Sequence, residues 1–210
     1  MKKKYLLLII LPLISCVQQQ DSQENNCETE YFIETVREPD PTIISIEDDC
    51  VSEFRKLRDY IYHTRKDSLM QYFSFPDIAN NDAFWYLSLA GYDSELYRQK
   101  HTAIFTEENF SNYFDRLFSH QFVKSLLKIK SKELFETGKY STIHFTEQDT
   151  YYVIEYWIDA VYDKETKILK LQLNNYGYDG ENRIGESLIE YRFIYDDNCN
   201  LRFYELILAG

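Results

Sequence analysis

Two carboxylates and an indole ring are spaced so that they would share one face of a predicted strand. Within the apolar segment 151–162, Glu155, Trp157 and Asp159 alternate with apolar residues, and alternate side chains of a strand point to the same face. If that face lines a pocket, the paired carboxylates could act as an acid/base pair or hold a cation. If it meets solvent, as one face of an antiparallel sheet ordinarily does, the charges form cross-strand pairs of small energetic value.

His144 lies on the preceding predicted strand and could complete such a pocket. It alternates with Tyr140 and Thr142, so it would share their face and could serve as a general base. A single histidine on a strand is more often packed or solvated, and that interpretation stays open beside the functional one. The four histidines of the chain are scattered and form no His-x-x-x-His pair, so we predict neither a metal site nor a cofactor.

Two tyrosines mark a second candidate surface. Tyr176 and Tyr178 lie in the segment 174–187, which is rich in glycine and asparagine and is predicted to be a long loop. Loops of that length are often functional, and exposed tyrosines among small polar residues are typical of surfaces that contact proteins or sugars. A solvated hairpin loop without a binding role fits the same composition.

The signatures of common catalytic sites are absent from the sequence. The segment 185–189 begins like a nucleophile elbow around Ser187, but Ile189 stands where the second glycine is needed. No glycine-rich segment has the spacing and the lysine of a phosphate-binding loop. The formal net charge of −12 disfavours nucleic acid as a partner, because phosphate backbones are bound by lysine and arginine.

The N-terminus resembles the export signal of a bacterial lipoprotein. Three lysines precede a short apolar run, and the run ends in Leu13-Ile14-Ser15-Cys16, which is similar to a lipobox. The resemblance implies that residues 1–15 are a signal peptide and that Cys16 is acylated. The mature protein would then be anchored through lipid to a membrane of the cell envelope.

The residues after the lipobox divide into a tether, an extended segment and a globular domain. Residues 16–26 are almost entirely polar and are predicted to form a flexible tether. Residues 27–49 are predicted to be extended, and residues 50–210 have the length and apolar content of one domain. Val17 occupies the position at which the lipoprotein rule places an aspartate for inner-membrane retention, so that resemblance favours the outer membrane.

Three cysteines remain after Cys16, and an odd number leaves at least one unpaired. A disulfide is permitted outside the cytoplasm. The local pair of Cys27 with Cys50 is preferred. The alternative pair, Cys50 with Cys199, would join the first helix to the last hairpin. The remaining option is three reduced cysteines.

Periodicity predicts helices in the first part of the domain and strands in the second. Helical spacing of apolar residues predicts helices from about Asp48 or Asp49, over 68–73 and over 107–130, with residues 77–103 as loop that contains one short strand. After Gly138, alternating β-branched and aromatic residues predict five strands, over 141–145, 151–162, 168–173, 188–195 and 201–208. Strands joined by short turns are antiparallel, so the fold class is α+β.

The order of these elements resembles the NTF2-like cone fold. The similarity rests on Tyr72-Phe73-Ser74-Phe75-Pro76 at the end of the first helical region and on the aromatic helix that contains Tyr113-Phe114 and Leu117-Phe118. It covers about residues 50–208 and implies N-terminal helices packed on a curved antiparallel sheet. The family contains enzymes as well as binding modules, so the resemblance alone implies no activity.

Three functional hypotheses follow from these features, in order of preference. The first is a non-catalytic envelope lipoprotein that binds a protein, peptide or glycan through Trp157, Glu155, Asp159, Tyr176 and Tyr178. The second is a small-molecule enzyme whose cone pocket uses Glu155, Asp159 or His144 as base. The third is an acidic inhibitor or immunity protein for a basic secreted enzyme, which would use the net negative charge directly.

Overall fold

The computed structural model of the protein describes residues 46–76, 78–148 and 152–210. The predicted signal peptide, the tether, the greater part of the extended segment, and both Cys16 and Cys27 lie outside the described residues. No helix within the described ranges combines the length and the apolar character that a membrane span needs.

Helices occupy the first half of the described chain. The first of them, α1 (Ile46–Tyr62), buries Phe54, Leu57 and Ile61, whose spacing of three and four residues makes one apolar stripe. It begins at Ile46, slightly before the predicted start. The helices after it are α2 (Lys66–Met70), α3 (Asn81–Trp85), a π-helical turn (Tyr86–Ala90), α4 (Ser94–Lys100), α5 (Glu107–Asn112), α6 (Phe114–Leu117), α7 (His120–Leu126) and α8 (Ser131–Thr137).

The loop predicted for residues 77–103 is wrong, because α3, the π-helical turn and α4 lie there. Their local pattern is weak, and burial of Phe84 and Trp85 against Phe105 supplies the stabilisation. A local signal does exist for α4, since the Asp93 side chain accepts a hydrogen bond from the Leu96 amide at the helix start.

The continuous helix predicted for residues 107–130 is also wrong. The chain forms three short helices there, α5, α6 and α7, with non-helical backbone at Tyr113 and at Phe118. Ser119 starts α7 by accepting a hydrogen bond from the Phe122 amide at 3.3 Å. The breaks let the aromatic side chains of this region follow the curved sheet instead of one straight stripe.

Within the described residues, six antiparallel strands form one curved sheet in the order β1-β3-β4-β5-β6, and β2 also pairs with β3. This arrangement confirms the α+β fold class. The structure differs from prediction at residues 174–187, where strands continue on both sides of a tight turn at Gly180 instead of a long loop. The strands are β1 (Lys139–Ser141), β2 (Phe145–Gln148), β3 (Val153–Asp163), β4 (Ile168–Asp179), β5 (Asn182–Tyr195) and β6 (Leu201–Ala209).

The core lies between the helices and one face of the sheet, which we call the inner face. On β3 this face carries the buried residues Tyr156, Ile158, Ala160 and Tyr162, as the alternation predicted. Rings from helices and strands interlock there, and Phe73 alone has five phenylalanine neighbours within 6.4 Å between ring centroids. Such ring pairs stabilise by about 0.5–1.5 kcal/mol each beyond the area that they bury.

Buried tyrosines connect this core to the helices through their hydroxyl groups. Tyr191 donates to the carbonyl oxygen of Leu117 before α7. Tyr195 donates to the carbonyl oxygen of Cys50 in α1 at 3.2 Å. Burial raises the pKa of both phenols, so they remain neutral hydrogen-bond donors. Because each hydroxyl has an acceptor, neither is an unpaired polar group in the core.

Cys50 is bonded to Cys199, with 4.8 Å between their Cα atoms. The preferred local pair of Cys27 with Cys50 is therefore wrong, and so is the option of three reduced cysteines. The physical reason is the packing of the β5–β6 hairpin against α1, which brings two buried cysteines together across a sequence separation of 149.

Removal of this disulfide should lower the free energy of unfolding. We expect Cys199→Ser to cost about 2–5 kcal/mol, because the bond closes a long loop in the unfolded chain. Urea denaturation of the full chain measures the change, and Cys27→Ser is the matched control that should leave the unfolding curve in place. A peptide map under non-reducing conditions that linked Cys27 to Cys50 would contradict the assignment.

Candidate functional site

The sheet face turned away from the helices, which we call the outer face, carries the predicted site residues. Glu155 lies opposite Tyr176 in the β3–β4 register, and Trp157 and Asp159 lie opposite Asn174 and Gln172. Strands β4 and β5 extend beyond their predicted ends. This extension places Tyr176 and Tyr178, which were expected in a loop, beside the carboxylates of β3. Tyr178 joins the same face next to Val153.

Four side chains form a continuous row across this outer face, and we call them the aromatic row. The rings of His144 and Trp157 are stacked, with centroids 4.0 Å apart and planes at 5°. Tyr176 contacts Trp157 on the side of β4, at 5.0 Å and 73°. The guanidinium of Arg183 lies 3.7 Å from the centre of the Tyr176 ring, which is a cation–π contact.

Glu155 is held beside the row by two side chains. One carboxylate oxygen is 2.8 Å from Nδ1 of His144, and the other accepts a hydrogen bond of 3.1 Å from the Tyr178 hydroxyl. The hydrogen bond with His144 lowers the pKa of Glu155 most, and together with the bond from Tyr178 it outweighs the opposing effect of partial burial. Glu155 is therefore ionised at neutral pH and is poorly suited to act as a general acid.

Asp159 is satisfied by neighbours on three strands. Its carboxylate accepts hydrogen bonds from Nε1 of Trp157 at 3.0 Å and Nδ2 of Asn174 at 2.9 Å, and the Ser141 hydroxyl donates to its other oxygen. Three donors occupy both oxygens of the carboxylate and fix the orientation of the Trp157 indole. The arrangement positions the aromatic row and does not expose a reactive carboxylate.

A second ionic cluster lies further across the outer face. Arg192 donates to Glu190 at 2.6 Å and to Glu205 at 2.9 Å. Phe203 lies two residues before Glu205, so simple alternation would place both side chains on one face, but Phe203 is buried in the core. The reason is a register shift in β6 opposite Arg192 and Phe193, which moves residues before it to the other face.

The enclosed carboxylate pocket that the enzyme hypothesis needs is not present among the described residues. Glu155, Asp159 and His144 share the open outer face, while the inner face is filled by rings such as Tyr156 and Tyr191. The described residues also contain no group of three or more His, Cys, Asp or Glu side chains arranged for a metal ion. What the geometry offers is a fixed, partly exposed polar and aromatic surface.

Comparisons with protein families, with curated proteins and with solved structures each found no match to this chain.

All five predicted binding residues lie on the outer face, and they form one connected set. Sequence reasoning missed Arg183 and Asn174, which complete the aromatic row and hold Asp159. The alternation of Asn174 with Gln172 and Tyr176 was a usable signal, but only if the segment 174–187 was interpreted as strand. Arg183 lies across the turn on β5, and no local pattern assigns it to this face. The glycines in that segment favoured a loop instead.

The lowered pKa of Glu155 predicts a pH-dependent contribution to stability. Because the folded-state pKa lies below the ordinary value of about 4.3, the ionised group stabilises the fold above that value, and the contribution is lost as the pH falls through the folded-state pKa. We expect the difference in unfolding free energy between the wild type and Glu155→Gln to shrink on acidification. Urea titrations at a series of pH values measure it.

The matched test repeats the comparison between Glu155 and the Glu155→Gln variant in a His144→Ala background. Without the imidazole, which has the largest lowering effect, the acid-dependent part of the difference should become smaller. An acid dependence that stayed the same in that background would show that His144 does not stabilise the carboxylate.

Proposed function

We propose that this protein is a lipid-anchored lipoprotein of the bacterial envelope whose globular domain is a non-catalytic binding module. The ligand surface is the outer face of the sheet, centred on the aromatic row. The observation that carries the proposal is the rigid alignment of His144, Trp157, Tyr176 and Arg183 on an open face. Tryptophan, tyrosine and arginine are the side chains that most often dominate binding energy at interfaces.

The geometry supports recognition more than catalysis. The carboxylates beside the row are held by Tyr178, Ser141 and Asn174, and such fixed contacts keep the cost of ordering the surface on binding low. A ligand would meet oriented aromatic edges, a guanidinium and anionic oxygens at once. This mixture is typical of a polar protein interface.

Among the three ligand classes, a protein or peptide is favoured over a glycan. A sugar ring is bound by stacking on a free aromatic face, but the stacked His144 ring covers one face of Trp157, and Tyr176 contacts the same indole at 5.0 Å and 73°. Arg183 lies against the Tyr176 ring in the same way. The exposed edges and the charged groups of the row therefore suit amide and charged side-chain partners better.

We also propose that the domain is a variant of the NTF2-like cone. Support comes from helices that precede a curved antiparallel sheet and from aromatic residues at the ends of the helical segments. In cone enzymes the cavity beneath the helices would hold the substrate, whereas here Phe122, Tyr191 and Phe193 fill that space. This filling supports a binding module in which the opposite face is the working surface.

The binding surface can be tested by removing one ring of the row. We expect Tyr176→Ala to reduce capture of the partner from envelope extract by the full chain in detergent, because the change deletes the contacts with Trp157 and Arg183. Loss of one interface hot spot costs about 2 kcal/mol or more, which is over tenfold in affinity. Quantitative mass spectrometry of the captured material measures the effect.

Tyr62→Ala is the matched control, since Tyr62 is an exposed tyrosine on α1, away from the sheet face. It should capture the same partner as the wild type. Equal capture by the wild type, Tyr176→Ala and Tyr62→Ala would refute the outer face as the binding surface. If capture were lost after the extract is digested with glycosidases but were retained after digestion with protease, the ligand would be a glycan instead.

Lipid attachment is tested by Cys16→Ser. We expect this variant to incorporate no labelled fatty acid and to leave the membrane fraction, because the thiol is the proposed attachment point and stable anchoring requires acyl chains. Metabolic labelling followed by fractionation of the envelope measures both effects. Continued membrane association of the unlabelled variant would contradict the anchor.

A further inference from the structure

A cleft lies beside the free edge of the sheet, separate from the aromatic row. Its volume is about 1030 Å³, which is at the upper end of the range for ligand pockets. One wall is formed by α3 and the π-helical turn, and the other by β6 with the adjoining part of β5. The apolar side chains of the lining include Ala83, Tyr86, Leu87, Ile189, Leu206 and Leu208.

Strand β6 is the last strand of the sheet order, and no strand among the described residues pairs with its outer edge. The first half of this edge is nevertheless closed. The Phe203 amide donates to the Tyr72 carbonyl oxygen at 2.6 Å, and Nδ2 of Asn80 donates to the Leu206 carbonyl oxygen at 2.8 Å. Such coverage is how proteins ordinarily prevent an edge strand from pairing with other chains.

The second half of the edge faces the cleft. Because backbone groups of a strand alternate in direction, Leu208 directs its N–H and C=O to the same side as Leu206, the side that Asn80 reaches. By the same alternation, Ala209 directs its N–H and C=O toward β5. The cleft therefore combines an open backbone edge at Leu208 with an apolar wall opposite to it.

The charges of the cleft select for a cationic occupant. Asp82, Glu186 and Glu205 line it, and its lining contains no lysine, arginine or histidine. Glu186 and Glu205 are each paired with an arginine outside the lining. Asp82, in contrast, is exposed and accepts a hydrogen bond from the neutral Tyr97 hydroxyl at 3.0 Å, so its charge is left for a cation.

We propose that this cleft binds an extended, basic segment of a partner protein, which adds to the sheet as a strand beside β6. The backbone of the segment pairs with Leu208, alternate apolar side chains contact Leu87 and Ile189, and a lysine or arginine reaches Asp82. Main-chain hydrogen bonds supply affinity and the side-chain contacts supply selectivity in this mode of recognition. The lining of this cleft contains none of the four residues of the aromatic row, although Glu186 of the lining pairs with Arg183 of the row.

The test uses the full chain in detergent and a short fluorescent peptide that alternates lysine and valine. We expect saturable binding by fluorescence anisotropy. Asp82→Asn should weaken it about tenfold, because the change removes the negative charge that a lysine of the peptide approaches. The asparagine keeps an acceptor for Tyr97, so the fold should be retained. Glu181→Gln, at the exposed β4–β5 turn, removes the same charge elsewhere and should bind like the wild type.

A second peptide, N-methylated at every residue so that neither edge can pair, tests the strand pairing without any change to the protein. It should fail to bind, because the donors and the space for a neighbouring strand are lost. No binding of the parent peptide, equal binding of the methylated peptide, or equal weakening by Asp82→Asn and Glu181→Gln would each overturn the proposal. Trp157→Ala should leave peptide binding unchanged, and a loss there would assign the peptide to the outer face instead.

Discussion

Aromatic packing between the helices and the inner face of the sheet is the constraint on which the rest of the molecule depends. Phe73 stacks on Phe203 from the last strand and also contacts Phe110 from α5 and Phe193 from β5. Rings of this size bury large areas and fit in few arrangements, so they fix the helices relative to the sheet. The short helices between residues 81 and 126 exist because their rings must reach a curved surface.

This packing separates the two faces of the sheet. With the inner face filled, polar side chains are confined to the outer face, where they satisfy one another: Asp159 has three donors and Glu155 has two neighbours. A network of that kind holds Trp157 and Tyr176 in one orientation at little entropic cost. The same contacts that orient the rings also occupy the carboxylate oxygens of Glu155 and Asp159.

The sheet also determines where the chain can meet other chains. Pairing of β4 with β5 continues to Asp179 and Asn182, so this hairpin is paired as far as its turn. At the other border, β6 is covered at Phe203 and Leu206 but open at Leu208. The two candidate surfaces thus have different origins. The aromatic row results from the alternation of side chains along the strands, and the cleft results from the uncovered end of the β6 edge.

The sequence alone determined the fold class, the positions of β3 and β6 and the two faces of β3, because alternation is local and Glu155 and Trp157 must lie on the face opposite Tyr156. The strand predicted over 141–145 is wrong, since residues 142–144 lie between β1 and β2. Only the tertiary structure decided that Cys50 is bonded to Cys199, since that choice depends on how a hairpin packs against a distant helix. It also decided the helices in the segment 77–103 and the strands in 174–187, where burial and pairing with neighbours override weak local preferences.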